Sequence, residues 1–121
     1  MFNILIGNTD DHARNHAAFV VGNELELTPA YDIAPQPRSG ETARHPPFGD
    51  SEHGRESRIA ALVEAAPIYH LKPAEGQDVA DHQVSTIRNG WDEVCNTARL
   101  TEAQRAALLA GPILNPYAFY T

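Results

Sequence analysis

The sequence predicts an α+β domain, with a small β-hairpin element and a polar loop packed on a C-terminal helical bundle. Three observations predict it. Two β-rich stretches, residues 17–21 and 24–28, flank Gly22-Asn23, a two-residue loop with Gly leading that signals a hairpin. A Pro- and Gly-rich stretch follows over residues 34–56. Beyond it, apolar residues recur at helical spacing. The chain has 121 residues, enough for one core but not two. It divides into a loop-and-hairpin part (1–33), the long loop (34–56) and a helical part (57–121).

Each element has its own signal. Phe2-Asn3-Ile4-Leu5-Ile6-Gly7 is a buried-type apolar run, either a strand or the end of a buried helix, which so few residues do not separate. Chains usually begin with polar, frayed residues, so this opening reads as part of something longer. In the second hairpin stretch Leu25 and Leu27 alternate with Glu24 and Glu26, which predicts one buried face and one wet face. The long loop carries Pro35, Pro37, Pro46 and Pro47 with Arg38, Arg44 and Arg55. It reads as a disordered linker or as a functional or mobile loop, and it carries hydroxyls at Ser39, Thr42 and Ser51. Ile59, Leu62, Val63 and Ala66 follow the i, i+3, i+4, i+7 pattern until Pro67 stops it. Ala80, Val84, Ile87, Trp91 and Val94 form a second stripe, with Trp91 read as core. Thr101-Glu102-Ala103-Gln104 is a capping-box pattern opening a last helix that Gly111-Pro112 closes.

Composition narrows the function classes. Hydrophobic residues make up 42% and charged residues 21%, an ordinary globular balance. Nine Lys and Arg against sixteen Asp and Glu leave a net charge of −7, which argues against direct binding to nucleic acid. No apolar run approaches the roughly 20 residues of a membrane span. The first residues lack the basic region of a secretory signal, so a cytoplasmic protein is expected. Cys95 is the single cysteine, which excludes a disulfide framework and reads as a buried or idle thiol.

The densest polar cluster is Asn8-Thr9-Asp10-Asp11-His12-Ala13-Arg14-Asn15-His16. It lies between the apolar run and the hairpin, so it is a loop fixed at both ends. Asp10 and Asn15 stand at the spacing that a protein-kinase catalytic loop uses between its base and a metal-binding Asn. Tyr31-Asp32-Ile33 then places a carboxylate just past the second strand. Phosphoryl transfer needs positioning and charge neutralisation more than covalent help. One carboxylate must orient or accept the proton of the attacking hydroxyl, which suits Asp10. Magnesium prefers a few hard oxygen ligands, which suits Asn15 and Asp32.

The segments Ile4-Leu5-Ile6-Gly7-Asn8-Thr9-Asp10-Asp11-His12-Ala13-Arg14-Asn15 and Leu27-Thr28-Pro29-Ala30-Tyr31-Asp32-Ile33 resemble the catalytic half of HipA-family serine/threonine kinases. These are the toxins of bacterial HipBA-type toxin–antitoxin modules. The strong match covers about the first 35 residues; the helical remainder agrees in pattern only. The resemblance implies a kinase C-lobe-like fold, with Asp10 as catalytic base and Asn15 and Asp32 as Mg2+ ligands beside ATP. It puts Arg14 near a transferred phosphate, although pairing of Arg14 with Asp11 is the other reading. Asp11 and His12 shape the loop, and His16 is structural. The implied partners are a protein substrate with a Ser or Thr hydroxyl and a HipB-like antitoxin.

The family also carries an N-terminal lobe with a phosphate-covering loop, an ATP-pairing lysine and its glutamate. No glycine-rich run opens a helix here, and Lys72, the only lysine, precedes Pro73. The expectation is a lobe inactive by itself, its ATP-cradling lobe being a separate polypeptide, a truncated part or lost to a misassigned start. Two other readings stand beside it. One is a partner-binding lobe that has lost catalysis. The other is a metal-dependent phosphohydrolase using Asp10, Asp11, His12 and His16. His45, His53, His70 and His82 have no ligand spacing and read as surface residues.

Overall fold

The computed structural model describes residues 1–37 and 56–121. Most of the long loop, with Arg38, Ser39, Thr42, Arg44, His45, Ser51, His53 and Arg55, lies outside the described residues. The opening apolar run resolves as a helix, α1 (Phe2–Leu5). The Ile4 and Ile6 N–H groups donate to the Met1 and Phe2 carbonyls at 3.0 Å each. Next come a 3₁₀ turn (Ala13–Asn15) and an antiparallel hairpin of β1 (Ala18–Val21) and β2 (Glu24–Leu27). Past the long loop stand α2 (Ile59–Glu64), a 3₁₀ turn (Ala66–Tyr69) carrying Pro67, α3 (Pro73–Thr97), α4 (Glu102–Ala110) and a last 3₁₀ turn (Pro116–Phe119).

The two longest helices, α3 and α4, start where side chains engage N–H groups at the cap. Pro73 opens α3, where its missing N–H costs nothing, and the Glu75 carboxylate accepts the Lys72 N–H at 2.7 Å. Thr101 and Gln104 form the reciprocal capping box, at 3.2 Å and 2.9 Å. The α3–α4 corner is tied by Arg105, which donates to the Leu100 carbonyl and to Asn96 Oδ1.

The core gathers Ile4 and Leu5 of α1 with Ile59, Ala61, Ala80 and Ala118. Val84 and Ile87 of the α3 stripe pack against it, and Cys95 is fully buried. The same stripe does not stay inside to its end. Trp91 is half-buried and Val94 is exposed, and both line an apolar groove of about 320 Å³ with Phe2, Ile87, Gly90 and Ile113. His70 and His82 are exposed, as their spacing implied.

The hairpin departs from expectation. Every residue of both strands is exposed, with Leu25 at 73% and Leu27 at 81%. Val20 pairs with Leu25 and Ala18 with Leu27, so four apolar side chains share one face. A two-stranded ribbon cannot cover its own face, and the described helices do not cover it. The helical bundle instead receives α1. Among the described residues no helix is long and apolar enough to cross a membrane.

Two glycines mark the extremes of packing. Gly7 has φ +70°, and a Cβ there would lie 2.6 Å from both Cβ and the carbonyl oxygen of Pro112. Gly90 sits inside α3 with nothing within 4 Å of such a Cβ. Gly90→Ala should therefore stabilise the chain by about 1 kcal/mol, the helix-interior difference between the two residues. Gly7→Ala should destabilise it by roughly 2 kcal/mol or more, since backbone strain and a backbone clash add. Urea midpoints of the two variants against the parent check both signs, and equal shifts would contradict the packing described.

Candidate functional site

The left-handed turn at Gly7 ends α1 and sends the chain out of the core as the polar loop. Gly7 also accepts the Gln36 N–H on its carbonyl at 3.0 Å, which returns the segment after Asp32 to the start of the loop. A backbone hydrogen bond therefore closes the loop at its base.

Inside it, Asn15 organises its own turn. Its N–H donates to the His12 carbonyl at 2.9 Å, and its Oδ1 accepts the His12 N–H at 3.2 Å. Its Nδ2 then donates to Asp32 Oδ2 at 2.7 Å, across 17 positions of sequence. Asn15 is buried and Asp32 is exposed. Asp32 has φ +54°, a left-handed conformation uncommon for a residue with a Cβ. The Tyr31 hydroxyl fixes the same segment from outside, donating to the Arg14 carbonyl at 2.7 Å.

Asn15 and Asp32 thus meet, and both line a cavity of about 120 Å³ together with Asn8, Asp11, His16 and Tyr31. Asp10 is half-buried on the loop outside that lining, its N–H donating to Asn8 Oδ1 at 3.2 Å. Arg14 is exposed and also outside the lining. Of its two readings, the ion pair with Asp11 is replaced: Asp11 pairs with His16 Nε2 at 2.6 Å. Asn8, to which the sequence assigned no role of its own, is buried and bonded to three segments. The available signal was its position, a polar amide directly after a buried apolar run. His12 Nδ1 is buried without a hydrogen-bond partner among the described residues. Burial pushes the Met1 α-amino group below its ordinary value, and the nearby Asp11 carboxylate partly draws it back up.

The donor set suits a hard divalent cation. Asn15 and Asp32 line one cavity; Asp32 keeps its second carboxylate oxygen beyond the contact with Asn15, and Asn15 Oδ1, which accepts the His12 N–H, keeps one lone pair. Among the described residues no three His, Cys, Asp or Glu side chains gather to hold a metal by themselves. A cation here would need further oxygens from water or phosphate, which is the habit of magnesium at nucleotide sites. An anion-carrying ligand and a cation would complete each other.

The chain belongs to the family of the HipA-like C-terminal domain, whose model matches residues 1–101. No curated protein and no solved structure matches the chain.

The two tethers differ in burial and should differ in energy. Asn15→Ala would leave the His12 N–H and Asp32 without their partner and should cost about 2 kcal/mol. Tyr31→Phe removes a bond made at the surface and should cost less than about 1 kcal/mol. Chemical denaturation of both variants is the check, and a larger loss for Tyr31→Phe would reverse the ranking of the tethers.

Proposed function

We propose that this chain is the C-terminal catalytic lobe of a HipA-like protein serine/threonine kinase, transferring the γ-phosphoryl group of ATP to a protein hydroxyl. The observation that carries this reading is the 2.7 Å contact between Asn15 and Asp32, which brings two oxygen-bearing side chains to one cavity from either side of the hairpin. Family membership supports it.

In this reading Asn15 and Asp32 hold Mg2+, which when bound neutralises charge on the nucleotide phosphates. Asp10 orients the attacking hydroxyl and accepts its proton. Arg14 is free of Asp11 and is available to a phosphate oxygen from the solvent side. Binding of the remaining nucleotide surface falls to an ATP-cradling N-terminal lobe, carried on the same or a separate polypeptide. A protein substrate with Ser or Thr and a HipB-like antitoxin are the proposed partners, and the chain acts as part of the toxin of a type II toxin–antitoxin system in the cytoplasm.

A second reading, a lobe that keeps partner contacts without catalysis, draws on the exposed Val20, Leu25 and Leu27 of the hairpin. Nucleotide and metal separate the two. Adding Mg2+ with ATP should raise the melting temperature of the chain, and Asp32→Ala should abolish the Mg2+-dependent part of the rise. Silence of the parent chain toward both additions favours the partner-binding lobe. With an N-terminal lobe supplied, Asp10→Asn should lower transfer by roughly 10²–10⁴-fold, the usual scale of general-base loss, while ATP still binds. Transfer at the parent rate would remove Asp10 from the role of base.

A further inference from the structure

We infer that Asn8 is a positioning residue that sets the catalytic base against the metal-binding carboxylate, an inference resting on the kinase reading above. Asn8 is buried, with 5% of the residue's surface exposed. A carboxamide has two donor hydrogens and one acceptor oxygen, and all of these are engaged. Nδ2 donates to Asn3 Oδ1 at 3.1 Å and to the Asp32 carbonyl at 3.4 Å. Oδ1 accepts the Asp10 N–H at 3.2 Å. The Asn8 N–H donates to the Asn3 carbonyl at 2.8 Å, which anchors the whole amide to α1 and so to the core.

This one planar group therefore joins the backbone of Asp10 to the backbone of Asp32, 24 positions from Asn8. The contact falls on the Asp32 peptide, whose φ of +54° needs outside support to persist. Asn15 holds the Asp32 carboxylate and Asn8 holds the Asp32 carbonyl, so the residue is fixed at both ends. Catalysis by positioning is sensitive to small displacements of such groups. No other residue type of this size offers two donors and an acceptor: Asp lacks the donors, and Ser is too short to span the three partners.

The test compares Asn8→Ser with a core variant of the full chain, Ile59→Val, which lowers stability without touching the loop. Asn8→Ala serves as a second loop variant should Asn8→Ser not fold. The probe is Mg2+, titrated in the presence of a non-hydrolysable ATP analogue and read as a thermal shift. Asn8→Ser should move the Mg2+ midpoint about tenfold higher, a scale typical of lost support around a metal site. Ile59→Val should leave that midpoint within about twofold of the parent while lowering the melting temperature. Equal Mg2+ midpoints in all three proteins would overturn the role of Asn8 and leave the kinase reading standing. A parent chain that ignores Mg2+ and nucleotide would remove that reading, and the role of Asn8 with it.

Discussion

Leu5 has no exposed surface, and its carbonyl accepts the Leu114 N–H at 2.7 Å. A leucine fully withdrawn from water contributes roughly 1.5–3 kcal/mol, and a cavity in its place would cost more. That burial seats α1 among the helices. The chain must then leave the core within one turn, and Gly7 permits it: its left-handed φ turns the backbone where Pro112 leaves no room for a Cβ. Everything polar that follows hangs from this exit. The loop starts beside the core, so its first residues are anchored to packed helices.

Rigidity then passes through amides rather than through ions. The Asp11–His16 pair has its histidine side chain 53% exposed, so solvent screens it and its share of stability falls within about 0–1 kcal/mol. Asn8 and Asn15 are buried, and their hydrogen bonds link Asn3, Asp10, His12 and Asp32. Each such bond contributes about 1 kcal/mol net, but an orphaned partner would cost up to about 3 kcal/mol. That asymmetry makes the network close to all-or-none. A neutral amide beside Asp32 also adds no charge to the loop, whereas lysine or arginine in the place of Asn15 would neutralise that carboxylate.

The sequence made the helical half readable because its signals are local. The Thr101–Gln104 capping box and the Ala80–Val84–Ile87 part of the α3 stripe stand where spacing put them, and Cys95, read as a buried or idle thiol, is buried. The Asn15–Asp32 meeting was also legible, because two motifs in fixed order bracket a hairpin that folds them together. What periodicity missed has a physical cause. Five apolar residues fit either secondary structure, so only tertiary packing decides that Phe2–Leu5 is helical. The alternation of Leu25 and Leu27 records a face suited to burial, but burial needs a second layer, and pattern alone cannot say who supplies it. Asn8 was hidden for a related reason: a single amide has no period, and its partners are a helix, a loop and a segment past the hairpin.

The family match ends at residue 101, yet the seat of α1 is completed by residues beyond it. Pro112 closes over Gly7, Leu114 donates to the Leu5 carbonyl, and Ala118 lies in the same core cluster as Ile4 and Leu5. The α4 helix, opened by its capping box, delivers these three positions to the exit of α1. The loop geometry that defines the candidate site therefore depends on a segment outside the matched domain. Matching motifs locate Asp10, Asn15 and Asp32 in the chain, but their mutual placement is set by a core that the final turns complete. A lobe with the same motifs and a different C-terminal segment would have to find another way to hold α1, or its loop would lose the fixed base from which Asn8 and Asn15 work.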